Sequence, residues 1–117
     1  MAYKRKVKLN FADAQPVAPL TQQEYLTEFR ILIEEMYNTT AAKNHDYASK
    51  NDAFRNFREF GKLGVLVRMS DKFARLKSAL VEKKDFKVKD ESILDTAKDL
   101  AVYSLILMLM VKHEPNS

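Results

Sequence analysis

The stretch from residue 91 to residue 111 constrains the fold more than any other part of this sequence. Its first half has helical spacing, with apolar side chains on one side and Asp95 and Asp99 on the other. Residues 100–111 are then apolar on every side, apart from one tyrosine and one serine. At about 1.5 Å per residue this run spans roughly 18 Å, well short of the ~30 Å bilayer core. We therefore expect a core helix and no membrane span, with a partner subunit covering its second half.

The composition favours an all-α fold. The 117 residues include only two glycines and three prolines, which leaves few turns and disfavours a many-stranded protein. The length suits one domain with a core of its own, and the lack of cysteine excludes disulfides. A capping box at Thr21 and Glu24 and the apolar spacing predict an antiparallel bundle. It has three long helices at about 22–43, 65–83 and 91–112, and a short helix at 53–63, with a break at Gly61 and Gly64.

The first twenty residues are predicted to be an extended N-terminal arm and connector. Their apolar residues alternate with polar ones, which is the period of a strand. Four basic residues between positions 4 and 8 account for the whole net charge of +4, so the rest of the chain is neutral. A nucleic-acid-binding domain needs a basic face on its body, so we expect no nucleic-acid partner. Residues 21–113 form the single domain and residues 114–117 a tail.

Asp95 and Asp99 are the first candidate site residues. They lie one turn apart on one face of the helix, and Tyr103 lies one turn further along the same face. Paired carboxylates suit a divalent cation and, through it, a phosphate, and Glu35 is a further candidate ligand. The alternative is that both carboxylates are solvated near a helix N-terminus, where they favour the helix dipole. No spacing of His or Cys typical of a zinc site occurs.

A row of cations on the preceding helix is the second candidate. Arg68, Lys72 and Arg75 share one side of that helix, and guanidinium and ammonium groups suit phosphate oxygens. A solvated face is the alternative. Asn51 and Asn56 flank a run of phenylalanines, where their amides suit polar contacts to a nucleobase.

Four motifs together resemble the nucleotide-modification-associated domain family, which is common in phages and related to the MazG-like all-α nucleoside triphosphate pyrophosphatases. They are KNHDY at 43–47, NDAFRNF at 51–57, RMSDKFARL at 68–76 and ESILDTAKDLAVY at 91–103. The resemblance covers roughly residues 22–108, nearly the whole body of the chain.

The resemblance implies an oligomeric, MazG-like helical bundle that binds a nucleotide. In MazG-like enzymes, acidic residues on two helices bind Mg²⁺, which engages a triphosphate and activates water to give a monophosphate and pyrophosphate. Asp95 and Asp99 match the acidic pair of the last helix, as catalytic and metal-binding residues, and Asp71 is the nearest match on the helix before it. That helix departs from the glutamate cluster of the pattern, because Lys72 and Arg75 stand there instead.

Two functions follow as hypotheses. The first is a Mg²⁺-dependent nucleotide pyrophosphohydrolase, with Asp71, Asp95 and Asp99 as metal ligands. The second is a protein that sequesters a nucleotide or cyclic nucleotide without turnover, as an anti-defence sponge would. In both, the nucleotide-binding residues are Asn51, Asn56, Arg68, Lys72, Arg75 and Tyr103. We expect a homo-oligomer in the cytoplasm, that of the host if the chain is phage-encoded.

Overall fold

The computed structural model describes residues 17–47, 52–82 and 89–115, and these are all-helical. Helix α1 spans Gln22–Tyr47, α2 spans Gly61–Leu80 and α3 spans Lys89–Lys112. A single 3₁₀ turn, Arg55–Phe57, lies between α1 and α2. No strand occurs among the described residues, so the all-α class is confirmed. Most of the predicted arm, at 1–16, lies outside the described residues.

Helix α1 begins at the capping box that the sequence predicts. The Thr21 N–H donates to Glu24 Oε1 at 2.9 Å, and the Glu24 N–H donates to Thr21 Oγ1 at 3.0 Å. Hydrogen bonding of the carboxyl to the Thr21 N–H, and secondarily to the Thr21 side chain, holds the pKa of Glu24 below its usual range. The other end differs from the prediction, because the helix expected to end near residue 43 continues to Tyr47. Residues 43–47 contain neither glycine nor proline, so nothing in them stops the helix.

Replacing Thr21 with alanine is expected to destabilise the fold by about 1 kcal/mol, the usual cost of removing a threonine N-cap. Urea denaturation of Thr21→Ala and the parent chain measures this difference. Thr27→Ala is the matched control, because it makes the same change within α1, where alanine is the better helix former. Equal stability of Thr21→Ala and Thr27→Ala would contradict the capping role.

The short helix predicted at 53–63 takes a different form. Between residues 52 and 60 only Arg55–Phe57 are helical, and α2 begins at Gly61 instead of near residue 65. Gly61 has a φ of 57°, in the left-handed region that interrupts a right-handed helix and favours glycine. The predicted break at Gly64 is wrong, because Gly64 lies inside α2. A Cβ there would lie 2.5 Å from Phe60 Cβ, which accounts for a glycine at this position.

Helices α2 and α3 pack against each other in opposite directions. Three side-chain contacts join them and show this direction, because residue numbers increase along α2 while those of the contacted residues in and just after α3 decrease. The pairs are Lys62 with Glu114, Arg68 with Tyr103, and Lys72 with Asp99. Helix α1 contacts α3 less extensively, chiefly where Lys98 Nζ donates to Glu35 Oε1 at 2.7 Å. This ion pair raises the pKa of the Lys98 ammonium. The antiparallel α2–α3 pair therefore forms the main helix–helix contact of the domain, with α1 attached to its side.

A core buried within one chain is largely missing from the described residues. Val65 is the buried hydrophobic side chain, and most of the predicted apolar stripes are exposed. Along α1, six large side chains that share one face are 38–72% exposed, and we call them the α1 stripe: Tyr25, Leu26, Phe29, Leu32, Ile33 and Tyr37. The expectation that the domain buries a core by itself is therefore wrong for the described part of the chain.

The second half of α3 is only partly covered within one chain. Leu105 and Met108 are 50% and 61% exposed, although the sequence predicts apolar surroundings on every side. None of the described helices combines the length and the apolar character needed to cross a bilayer.

Candidate functional site

The cationic row of α2 faces the acidic face of α3. Lys72 Nζ lies 3.1 Å from Asp99 Oδ2, and both side chains are partly exposed. The two residues that the sequence selected from separate helices are therefore brought into contact. The two opposite charges form an ion pair.

One turn away, Arg68 occupies a different environment. Its guanidinium carbon lies 6.0 Å from the centre of the Tyr103 ring, and Nη1 donates a long hydrogen bond of 3.4 Å to the Tyr103 hydroxyl. A guanidinium at this distance is attracted by the ring quadrupole. No carboxylate of the described residues pairs with Arg68. The tyrosine therefore orients the guanidinium but leaves its positive charge uncompensated.

Arg68 and Tyr103 line a pocket of about 640 Å³ between the three helices and the 3₁₀ turn, which we call the interhelical pocket. This volume falls in the range of ordinary small-ligand sites. The apolar part of its wall consists of Ala53, Phe54, Phe57, Ile106 and Leu109. Phe54 and Phe57 are half-buried, so their rings are partly available to a ligand.

The polar part of the wall combines cations, amides and hydroxyls: Thr40, Lys43, Asn44, Asn56, Arg68 and Tyr103. Within the described residues, the side chains of Lys43, Asn44 and Asn56 have no hydrogen-bonding or ionic partner. Their donors and acceptors are therefore free to bind a ligand.

The loop that carries the two phenylalanines is closed by Asp52 and Arg58. Arg58 Nε donates to Asp52 Oδ2 at 2.6 Å and Nη2 donates to Oδ1 at 2.8 Å, a two-pronged pairing of the kind that arginine makes with carboxylates. The Phe54 N–H also donates to Asp52 Oδ1 at 3.1 Å. The Arg58 hydrogen bonds hold the pKa of Asp52 below its usual range, and the same pairing raises the pKa of Arg58. This pairing fixes one wall of the interhelical pocket.

The lowered pKa of Asp52 gives a pH-dependent contribution to stability. A carboxyl whose pKa is lower in the folded state stabilises the fold above its unfolded pKa of about 3.9, and loses that effect as pH falls through the folded value. We expect Asp52→Asn to unfold at a lower temperature than the parent chain at pH 7. The difference in unfolding temperature should become smaller below about pH 4, because Asp52 of the parent chain is then protonated and loses the charge that the variant lacks. Thermal unfolding of both proteins from pH 7 to pH 3 tests this, and a difference that stays constant would contradict the role of Asp52.

Three of the six predicted nucleotide-binding residues line the interhelical pocket: Asn56, Arg68 and Tyr103. Lys72 lies one turn from Arg68 in its pair with Asp99, and Arg75 is exposed outside the pocket lining. Asn51 lies outside the described residues. Thr40, Lys43 and Asn44 were not selected individually. The signal that could have found Lys43 and Asn44 is the motif at 43–47, because the longer α1 carries the first two residues of that motif into the pocket.

Several of the acidic residues considered as metal ligands are engaged with lysines of the same chain. Among the described residues, no three carboxylate or imidazole groups lie close enough to hold a metal ion. Asp99 is paired with Lys72 and Glu35 with Lys98, and Asp95 lies close enough to Lys98 to raise the pKa of that ammonium. Catalytic and Mg²⁺-binding roles for Asp71, Asp95 and Asp99 therefore stay predictions.

No protein-family model, curated protein sequence or solved structure matches the chain. The functional interpretation therefore depends on the site itself.

Proposed function

We propose that the interhelical pocket binds a nucleotide, with the base against Phe54 and Phe57 and the phosphate at Arg68. The observation that carries this proposal is the position of Arg68. Its uncompensated guanidinium lines the same pocket as two partly accessible aromatic rings. A pocket with an aromatic wall and a cation matches a ligand that is flat at one end and anionic at the other.

The base would be held by stacking and by amides. A nucleobase on an aromatic side chain gains about 1–3 kcal/mol in protein–nucleic acid complexes. Asn44 and Asn56 each offer an amide donor and acceptor, the combination that reads the polar edge of a base. Because both amides lack partners among the described residues, a base would replace only water at these groups.

The phosphate would be held by Arg68 and Lys43, from α2 and α1. Arginine binds phosphate oxygens through two parallel hydrogen bonds, and lysine contributes a compact charge. Tyr103 restrains the guanidinium of Arg68, which lowers the entropy lost when a ligand is bound.

Binding without turnover is the activity that we propose, in line with the sequestering hypothesis. The pairing of Asp99 with Lys72 supports it, because that carboxylate is already occupied by a cation of the same chain. Hydrolysis with Mg²⁺ stays the second candidate, since the similarity of the last-helix motif to MazG-like enzymes favours it.

The test is to incubate the purified protein with Mg²⁺ and a panel of linear and cyclic nucleotides, measuring both bound ligand and released pyrophosphate. We expect a ligand that is retained and recovered intact after denaturation. Pyrophosphate release that Asp99→Asn abolishes would establish the enzyme instead. If no nucleotide in the panel binds or reacts, both functions are wrong.

We also propose that the chain forms a homo-oligomer in which a second copy covers the α1 stripe. At roughly half exposure, its six side chains present on the order of 600 Å² of apolar surface, close to the ~800 Å² that each partner buries in a standard interface. Such a patch is large for the free surface of a monomer. Sedimentation velocity at micromolar concentration should give a mass at least double the chain mass of 13.6 kDa. A species of 13.6 kDa at every concentration would refute the oligomer.

A further inference from the structure

We propose that the interhelical pocket selects nucleotides by their phosphate number and is specific for a nucleoside monophosphate. This inference rests on the proposed nucleotide-binding function and adds the class of ligand. It follows from the way in which the described cations and carboxylates around the pocket are paired.

The cations near the pocket differ in how they are paired. Arg55, between the lining residues Phe54 and Asn56, is outside the lining, and its charge acts on Asp52. Lys72 lies 3.1 Å from Asp99, and Arg58 is paired with Asp52 at 2.6 Å, so the charges of both are compensated. Lys43 and Arg68 line the pocket and pair with no carboxylate among the described residues. The pocket therefore offers two uncompensated positive charges.

Two positive charges match one terminal phosphate. A phosphate monoester carries about −1.5 to −2 charges at pH 7. With the phosphate between Lys43 and Arg68, the pocket would be close to neutral, which minimises the cost of removing charged groups from water. A nucleoside without phosphate would leave both cations without a counterion in the complex.

Further phosphates would gain little from this chain. Beyond Arg68 the next cation along α2 is Lys72, whose ammonium is held by the Asp99 carboxylate. Each added phosphate carries at least one more negative charge. A phosphate placed beside Lys72 would be repelled by the negative Asp99 carboxylate. The Lys72–Asp99 pair therefore limits the site to one phosphate.

The experiment is isothermal titration of the full chain with a nucleoside and its mono-, di- and triphosphate, for each common base, in buffer containing EDTA. We expect the monophosphate to bind about tenfold or more tightly than the nucleoside, the usual gain from hydrogen bonds to a charged group. The di- and triphosphate should bind no more tightly than the monophosphate. Affinity that rises about tenfold with each added phosphate would overturn the inference but leave the proposed function standing. No binding of any member of the series would overturn both.

Asp99→Asn provides the decisive second measurement, because it removes the carboxylate that compensates Lys72 and changes the side-chain volume little. We expect the variant to bind the triphosphate at least several-fold more tightly than the parent, while its affinity for the monophosphate stays within about twofold. Lys77→Asn, which alters charge on α2 outside the pocket lining, should leave the order of affinities unchanged. An unchanged ratio of triphosphate to monophosphate affinity in Asp99→Asn would overturn the role of the Lys72–Asp99 pair.

Discussion

Replacing Arg68 with glutamine is expected to weaken the binding of a nucleotide by about tenfold to a hundredfold. A hydrogen-bonded ion pair contributes about 1.5–3 kcal/mol to binding, and glutamine keeps a polar side chain but is shorter than arginine and carries no charge. The exposed position of Arg68 makes the variant a mild change for folding, because the guanidinium makes only a long hydrogen bond and a ring contact with Tyr103. Titration calorimetry with the tightest-binding nucleotide measures the effect.

The matched control is Lys77→Gln, which removes one positive charge from the same helix at an exposed position outside the pocket lining. It separates a local contact from the general attraction of a basic chain for an anion. Both variants are also titrated with the corresponding nucleoside, for which the loss in Arg68→Gln should largely disappear. An Arg68→Gln protein that binds the nucleotide as tightly as Lys77→Gln does would refute the assignment of the phosphate to Arg68.

The second large effect is expected from Phe29→Asp, which places a charge near the middle of the α1 stripe. Burying an unpaired carboxylate in an apolar interface costs several kcal/mol, far more than the loss of the phenylalanine contact alone. In the described chain the Phe29 side chain is 53% exposed, so the substitution disrupts little packing within one copy. We expect the oligomer to dissociate, with the sedimenting mass falling toward 13.6 kDa.

Ile31→Asp is the control for this prediction. Ile31 is 44% exposed and lies about 200° around α1 from Phe29, on the opposite face of the helix. Both variants introduce the same charge into the same helix at a similarly exposed apolar position, so helix propensity and net charge are matched. If Ile31→Asp dissociates the oligomer and Phe29→Asp does not, the interface lies on the other face of α1.

The sequence predicted features that depend on local signals. The start of α1 was predictable because Thr21 and Glu24 satisfy each other's backbone groups within one turn. Helical spacing and side-chain type also singled out Lys72 and Asp99 on separate helices, and the structure brings the two into contact. These features need little knowledge of how distant parts of the chain pack.

Other features were not predictable because they depend on side-chain contacts that leave no periodic pattern in the sequence. The pocket wall around Phe54 contains a side-chain pairing between Asp52 and Arg58, which spans a 3₁₀ turn where a short helix was expected. Lys43 was assigned to a helix end and was therefore not considered as a ligand-binding cation. Apolar spacing also identified the stripe of α1 without showing whether the same chain covers it.

The slight attachment of α1 to its own chain has a consequence for the cell. This helix contributes Lys43 and Asn44 to the interhelical pocket, yet the ion pair between Glu35 and Lys98 is its principal polar contact with α3. If a neighbouring copy holds α1 in place, ligand affinity rises with the abundance of the protein, and a dilute population releases what a concentrated one retains. The fraction of ligand that is bound would then rise with protein concentration more steeply than in one-to-one binding.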